Sequence, residues 1–219
     1  MERIPEPEIM DVPERAQAYA DADFSEVNAA FVERLVELAG ELDSARALDL
    51  GTGPGDIPLR LAQRRPGWHI TGLDASMPML RLAQAARTDA SGRPAVDFVL
   101  GDAKRAPFPS DTFEVIFSNS FLHHVVDPIA FWKEAARVAK PGALLFARDL
   151  LRPESPEAAR ALVETHAADE HPLLKEDFYN SLLASYSTDE VKEQLYTAGA
   201  ARIEVQEITD RHLEIFSAL

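Results

Sequence analysis

The sequence predicts an α/β fold: a Rossmann-like, doubly wound, seven-stranded sheet, mostly parallel with an antiparallel C-terminal hairpin, and helices on both faces. Three observations predict it. Short apolar segments alternate with helix-like segments from about residue 45 to residue 150, which is typical of βαβ units. A glycine-rich stretch joins the first of these strands to the next helix. Two alternating segments end the chain, and Asp210-Arg211 between them indicates a tight hairpin.

The elements of the first half follow from periodicity and from signals at their ends. Residues 25–42 carry apolar side chains at helical spacing. Pro66-Gly67 ends the next helix. Ser76 is a favourable N-cap for the helix after it, which has Pro78 in its first turn. The predicted strands here are 45–51, 68–75, 96–102 and 111–120, and the predicted helices are 25–42, 57–65 and 76–92.

The second half is predicted in the same way. Asp127-Pro128 opens a helix that Lys140-Pro141-Gly142 closes. Ser187 or Thr188 can cap the next helix, Glu190 supports a capping box, and Gly199 ends the helix. The predicted helices are 127–140, 155–170, 177–187 and 187–199, and the predicted strands are 142–151, 201–209 and 211–219.

Composition excludes several classes of protein. The net charge of −15, from 22 basic and 37 acidic residues, disfavours binding of nucleic acid by bulk electrostatics. The chain has no cysteine, so it has no disulfide or thiolate metal site. It has no apolar run of the roughly 20 residues that a membrane span needs, and the acidic, proline-rich start is unlike a secretory signal. We therefore expect a cytoplasmic protein without membrane insertion.

The glycines and the acids at strand ends predict a ligand site. The segment "LDLGTGPGD" lies between a strand and a helix. Every second position in it carries an aspartate or a glycine: Asp49, Gly51, Gly53 and Gly55. Glycine permits positive φ and close approach of a ligand, although a tight turn alone would explain the run. Asp74 and Asp102 end the next two strands, where open α/β sheets bind ligands. Asp74 has an alternative interpretation as a helix cap, and Asp102 has one as a turn residue.

The spacing of the glycines bears on the ligand. A dinucleotide fingerprint reads G-x-G-x-x-G, whereas Asp56 stands where its third glycine belongs. The chain resembles the class I S-adenosylmethionine-dependent methyltransferases, and in detail the branch with the ubiquinone/menaquinone-biosynthesis enzymes. The resemblance is carried by "LDLGTGPGD", "GLDASMPML", "GDAKRAPFPSDTFEVIFSNSFLHHVVDP" and "RVAKPGALLFARDL".

The resemblance implies S-adenosylmethionine as cofactor and assigns roles by position. The residues around the methionine part would be Asp49 and the three glycines, with Asn119 and Ser120 near the methionyl end. Asp74 would hold the ribose hydroxyls, and Asp102 would accept a hydrogen bond from the adenine amino group. The residues implied beside the ribose and the adenine are Ala75, Ser76, Met77 and Ala103.

The resemblance also implies a division of the chain. The whole of 1–219 would be one class I domain. We expect a helical cover at 1–44, a cofactor-binding core at 45–150, substrate-cover helices at 151–186, and a helix and strand pair at 187–219.

Catalytic candidates follow the fourth and fifth strands. His123 or His124 would act as a base or orient an acceptor, or would only pack or hydrogen-bond. Arg148 and Arg152 would bind an anionic group of a substrate, or form surface ion pairs.

Three further groups have weaker patterns. His166 and Glu170 are four residues apart, but they lack a third ligand, so we predict no metal site. Tyr19 or Phe24 would close over the cofactor, or pack as ordinary helix residues. His212 is expected in the hairpin rather than in catalysis.

We thus expect a methyltransferase that acts on a small-molecule acceptor by in-line displacement. Self-association as a homodimer is left open. Two alternatives remain: an NAD(P)-dependent Rossmann oxidoreductase, disfavoured by the glycine spacing, and a non-catalytic S-adenosylmethionine-binding protein.

Overall fold

The central sheet has seven strands. The structure is a computed structural model that describes residues 1–7, 9, 11–87, 96–200 and 202–217. The strand order is β3-β2-β1-β4-β5-β7-β6. Strands β1 to β5 are parallel to one another, and β7 lies antiparallel between β5 and β6. The strands are β1 (Arg46–Leu50), β2 (His69–Asp74), β3 (Val96–Leu100), β4 (Phe113–Asn119), β5 (Ala139–Leu150), β6 (Glu204–Glu207) and β7 (His212–Phe216).

The described residues form eight α-helices. A 3₁₀ turn, Leu122–His124, also follows β4. The helices are α1 (Pro13–Asp21), α2 (Ser25–Ala39), α3 (Asp56–Arg64), α4 (Met77–Ala86), α5 (Pro128–Val138), α6 (Pro156–His166), α7 (Pro172–Ala184) and α8 (Thr188–Ala198).

The strands alternate their side chains between two apolar cores. On β4, Val115 and Phe117 pack with α2 and α3, and Ile116 packs on the other face with α5 and α8. Burial of such side chains on both faces is what a parallel sheet between two helix layers requires. The indole N–H of Trp132 on α5 donates to Gln194 of α8 at 3.1 Å, which satisfies a buried polar pair between these helices.

Helices α1, α6 and α7 lie beyond the end of the sheet. Helices α6 and α7 share a small apolar core that includes Leu150, at the end of β5. Helix α7 contacts the 3₁₀ turn, and α1 contacts both α7 and α4. These helices therefore cover the edge at which the parallel strands end. Among the described helices, none combines the length and the apolar character that crossing a bilayer needs.

The fold class predicted from the sequence is confirmed, including the C-terminal hairpin. The capping box is also present, with Ser187 accepting from the Glu190 backbone N–H and the Glu190 carboxylate accepting from the Ser187 N–H. The predicted ends of other elements differ. Helix α6 ends at His166 rather than at residue 170. Helix α7 begins at Pro172 rather than at 177, because proline suits the first turn of a helix and the His171 side chain caps this one. The helix predicted at 76–92 has its last residues, 88–92, outside the described residues.

Candidate functional site

The glycine loop is held against the second strand. The backbone N–H groups of Gly51 and Thr52 both donate to the Leu73 carbonyl, at 2.9 and 3.0 Å. Gly51, Gly53 and Gly55 all have positive φ, at 77°, 54° and 84°. A Cβ on Gly51 would lie 2.2 Å from the Phe121 ring, whereas a Cβ on Gly53 would meet no atom within 4 Å. Gly53 is therefore the point of the loop that a ligand can approach closely.

Asp74 joins this loop to the start of α4. Its Oδ2 accepts from the Gly53 N–H and its Oδ1 accepts from the Ser76 N–H, both at 2.8 Å. Ser76 in turn caps α4, because its hydroxyl accepts from the Met79 N–H at 3.3 Å. Burial raises the pKa of Asp74, although these backbone hydrogen bonds oppose the shift. The neighbours Ala75 and Met77 are exposed beside this carboxylate.

Asp49 is a buried carboxylate directly beneath the loop. Its side chain accepts from the Thr52 hydroxyl at 2.8 Å, and the residue is 2% exposed. Burial raises the pKa of Asp49 to about 7, and the charge of Asp74 adds to the increase. Within the described part of the chain, no basic side chain forms an ion pair with Asp49 or Asp74. Asp49 and Asp74 are therefore two acidic groups at this edge of the sheet without a paired cation among the described residues.

Asp102, the acidic residue that follows β3, lies at the same edge of the sheet. The Gly101 N–H donates to the Asp74 carbonyl at 2.9 Å, which places the turn after β3 beside the end of β2. Asp102 is exposed, and its carboxylate accepts from the Lys104 backbone N–H at 2.8 Å. The Lys104 ammonium lies 3.2 Å from the same carboxylate. Ala103 is buried beneath the turn.

The backbone after β4 has an uncommon conformation. Ser120 has a φ of 51°, and its N–H donates to the Arg148 carbonyl at 2.9 Å. A positive φ costs a serine free energy that surrounding contacts must offset, and such residues cluster at functional sites. Asn119 and Ser120 are both half-buried at this end of the strand.

His123 is fixed by a buried carboxylate. Its Nδ1 lies 2.6 Å from Asp149 Oδ1, and both residues are 3% exposed. Asp149 also accepts from the N–H groups of Phe121 and Leu122, at 2.8 and 2.5 Å. Burial lowers the pKa of His123, but the charge and hydrogen bond of Asp149 outweigh burial and raise it overall. The pair therefore sets the shape of the 3₁₀ turn.

The N-terminal segment, residues 1–7, lies over this turn. Arg3 donates to the carbonyls of Ala184 at 2.5 Å and His123 at 2.7 Å. Glu6 Oε1 lies 3.6 Å from His123 Nε2 and 3.3 Å from His124 Nδ1. Burial, with help from His123, lowers the pKa of His124 to about 3, so this ring is neutral. Both histidines predicted from the sequence are thus enclosed by the N-terminal segment.

Helix α1 brings Tyr19 to the acidic edge. Its ring lies 5.0 Å from that of Phe24. Burial raises the pKa of Tyr19 to about 12, and the charges of Asp149, Asp56 and Asp74 contribute. These three carboxylates come from different elements, so Tyr19 lies where they converge.

The structure places other predicted candidates in structural contacts. Arg148 donates to Glu214 at 2.5 Å, and Arg152 donates to Glu190 at 2.8 Å. His166 pairs with Asp210 at 2.9 Å, while Glu170 lies beyond the end of α6, so these two do not share a helix face. His212 lies at the start of β7, and burial lowers its pKa to about 4.

Sequence reasoning missed Glu6 and Arg3 and gave Asp149 no role. Asp149 carried a usable signal, because it lies near the end of a predicted central strand. The N-terminal residues lie in a proline-rich stretch without periodicity, and nothing in it indicates a contact with residues more than a hundred positions away.

Comparison with known proteins agrees with this geometry. Residues 48–147 match the family described as methyltransferase domain. A demethylmenaquinone methyltransferase of Roseiflexus castenholzii is 38% identical over 121 residues, which are 55% of this chain and 49% of that protein. The chain thus spans about half the length of the curated relatives that it matches.

Two solved structures show the fold. A SAM-dependent methyltransferase from Aquifex aeolicus has a TM-score of 0.69 and 22% identity, over 92% of this chain and 96% of that one. Phosphoethanolamine N-methyltransferase 2 of Haemonchus contortus, in complex with S-adenosyl-L-methionine, has a TM-score of 0.65 and 21% identity, over 84% of this chain and 39% of that one. The chain has the fold of these two structures, and residues 48–147 match the methyltransferase domain family, in agreement with the resemblance seen in the sequence.

Proposed function

We propose that this chain binds S-adenosylmethionine at the glycine loop and transfers its methyl group to a small-molecule acceptor. The observation that carries the proposal is the convergence of unpaired carboxylates around an accessible glycine. Asp49 lies beneath the loop, where it accepts from Thr52, and Asp74 accepts from the Gly53 N–H. This arrangement attracts a cation and repels an anion.

The charge of the site separates the two cofactor classes. S-adenosylmethionine carries a sulfonium and an ammonium group, so it would compensate the buried charge of Asp49. The pyrophosphate of NAD would bring further negative charge to the same edge. The strand order also differs from the 3-2-1-4-5-6 order of the dinucleotide-binding fold, because β7 is inserted antiparallel between β5 and β6. Both features favour the methyltransferase over the oxidoreductase.

The residues present fit the cofactor. Gly53 faces open space, so it would admit the methionine part, with Asp49 near its ammonium group and Asn119 and Ser120 at the methyl end. Asp74 would accept from the ribose hydroxyls with the lone pairs that its two backbone bonds leave available. The adenine would lie among Ala75, Ser76, Met77, Asp102 and Ala103.

The protein's part in the chemistry is alignment and exclusion of water. The cofactor supplies a methyl group on a sulfonium, which a nucleophile displaces in line. Tyr19 would cover the site from α1, and the Phe121 ring packs beneath the loop at Gly51. Holding acceptor and methyl group in one orientation supplies much of the acceleration in such a reaction.

The acceptor belongs to the proposal as well. The demethylmenaquinone methyltransferase relative supports a small organic acceptor. The catalytic role of His123 or His124 stays a prediction. Their enclosure beneath the N-terminal segment favours positioning of the 3₁₀ turn, and a soft nucleophile would need no base.

Calorimetric titration tests the cofactor. We expect micromolar binding of S-adenosylmethionine and S-adenosylhomocysteine, and none of NAD. Asp74→Asn should weaken binding about 10- to 100-fold, since a hydrogen bond to a charged group contributes about 1.5–3 kcal/mol. Asp97→Asn is the matched control, because Asp97 is an exposed carboxylate on β3 that pairs with His69 and Arg87. Unchanged affinity in Asp74→Asn, or binding of NAD alone, would refute the proposed site.

Turnover separates an enzyme from a cofactor-binding protein without activity. Release of S-adenosylhomocysteine should depend on added acceptor when phenols, quinols, thiols and amines are screened. A wild-type chain that binds the cofactor but releases no product with any of these acceptors would favour the non-catalytic alternative.

A further inference from the structure

Three potential ligand atoms converge beneath the N-terminal segment. Glu6 Oε1 lies 3.3 Å from His124 Nδ1 and 3.6 Å from His123 Nε2, and all three atoms are within 4.8 Å of one another. In a tetrahedral zinc site the Zn–N distance is about 2.0–2.1 Å, which separates neighbouring ligand atoms by roughly 3.3 Å. The spacing around Glu6 is therefore close to what one bound ion requires.

The hydrogen bonds around the two rings assign the proton of each neutral ring to the nitrogen that points away from Glu6. His123 Nδ1 is bonded to Asp149, which takes three backbone N–H groups as well, so the proton of a neutral ring lies on Nδ1. The His124 ring bonds to the backbone of Pro7, which can only accept, so that nitrogen carries the proton. In their neutral forms, His123 and His124 therefore have lone pairs on Nε2 and Nδ1 that face the Glu6 carboxylate.

The His124 nitrogen points most directly to a ligand between these groups. His124 Nδ1 is buried, and no hydrogen bond of good geometry reaches it from the described residues, although Glu6 is close. A buried nitrogen without a partner costs free energy. A cation among the three atoms would remove this cost.

Each of the three groups is oriented by an outer partner, as metal ligands usually are. Asp149 holds His123, Pro7 holds His124, and the Ser181 hydroxyl donates to Glu6 Oε1 at 3.0 Å. The surroundings are acidic, because Asp149 and Asp177 add negative potential at Glu6. The nearby Arg3 is engaged with backbone carbonyls of the 3₁₀ turn and α7.

We propose that Glu6, His123 and His124 form a site for a divalent transition-metal ion of the zinc type, which fastens the N-terminal segment to the turn after β4. Two imidazoles and one carboxylate are a ligand set that Zn²⁺ accepts, with its fourth position left to water. The ion would join residues that are more than a hundred positions apart in the chain. It would hold the N-terminal segment closed over the His123–Asp149 pair.

The first test uses the purified wild-type chain after treatment with EDTA and removal of the chelator. We expect Zn²⁺ to bind with one equivalent per chain, and Co²⁺ to give the visible absorption of a low-coordinate site. Zn²⁺ should raise the unfolding temperature and slow tryptic cleavage after Arg3, because the segment is then held in place. Absence of Zn²⁺ binding at 1 mM, or binding that leaves cleavage after Arg3 unchanged, would overturn the proposal.

Variants locate the ion. Glu6→Gln and His124→Gln should each weaken Zn²⁺ binding at least tenfold, while His166→Gln, which alters a histidine paired with Asp210 outside the cluster, should not. Glu6→Gln keeps an oxygen for the Ser181 hydroxyl, and His124→Gln serves if that variant does not fold. Equal affinity in the wild type and in a folded cluster variant would place the metal elsewhere and refute the site. Because S-adenosylmethionine binding is measured separately, failure here leaves the proposed function standing.

Discussion

Replacement of Asp49 by asparagine should stabilise the protein in the absence of cofactor. The carboxylate is buried beneath the glycine loop, with the Thr52 hydroxyl as its hydrogen-bond donor. Burial raises its pKa from 3.8 to about 7. The folded protein therefore holds this proton more tightly than the unfolded chain does. Wild-type stability must then fall as the pH rises from about 4 to about 7, and the loss is complete above pH 7.

The size of the effect follows from the shift. Each pKa unit corresponds to about 1.4 kcal/mol, so a rise of roughly three units lowers the free energy of unfolding by about 4 kcal/mol at pH 8. The asparagine of the variant would not ionise, and its amide oxygen can still accept from Thr52. The free energy of unfolding of Asp49→Asn should therefore exceed that of the wild type by about 4 kcal/mol at pH 8 and by about 3 kcal/mol at pH 6.

Urea unfolding followed by circular dichroism measures this difference at the two pH values. Asp97→Asn is the control, because it removes an exposed carboxylate and should change stability by less than about 0.5 kcal/mol. Saturating S-adenosylmethionine should reverse the order, because a cationic ligand stabilises the wild type through the carboxylate that the variant lacks. A variant that is no more stable than the wild type at pH 8 without cofactor would show that Asp49 is not an uncompensated buried charge.

Three further predictions concern the loop and the hairpin. Affinity for S-adenosylmethionine should fall about eightfold from pH 7.5 to pH 6, as Asp49 takes up its proton, and calorimetry of Asp49→Asn should show a flatter profile. Gly53→Ala should abolish cofactor binding and lower the free energy of unfolding by about 1–3 kcal/mol, because Gly53 has a positive φ. Gly51→Ala should lower the melting temperature more than Gly53→Ala does, because the new methyl group would collide with the Phe121 ring. Because burial lowers the pKa of His212 to about 4, the wild type should lose up to about 3 kcal/mol between pH 6.5 and pH 4, and His212→Gln should lose less in urea titrations over that range.

The sequence was informative where structure depends on local signals. Strands of a buried parallel sheet are apolar runs, and their ends are marked by the residues that follow. The glycine loop, Asp74 and Asp102 could therefore be located before any coordinates were known, and the structure brings all of them to one edge. Helix α8 was predicted because its capping box and its terminal glycine act within a few residues of the helix.

Features that depend on distant contacts could not be predicted. Arg3 binds carbonyl groups more than a hundred residues away, and no periodicity in its stretch indicates this. The boundary between α6 and α7 was misplaced because Pro172 begins a helix whose apolar face becomes evident only when it packs on α6. Arg148 and Arg152 looked like anion-binding residues because only the fold shows Glu214 and Glu190 beside them.

Three departures from ordinary folding rules lie at the same edge of the sheet. Two described residues other than glycine have positive φ, Asp111 and Ser120. Asp111 stands in the turn before β4, where an aspartate tolerates this conformation, but Ser120 follows β4 and belongs to a residue type that rarely adopts it. Asp49 is a buried acid without a cation, and His124 has a buried nitrogen without a hydrogen bond among the described residues. Each is unfavourable alone, and all three occur at or beside the carboxyl end of the parallel strands. Burial of the apolar cores on both faces of the sheet offsets the cost of these three groups. Cationic ligands would reduce the cost at Asp49 and at His124.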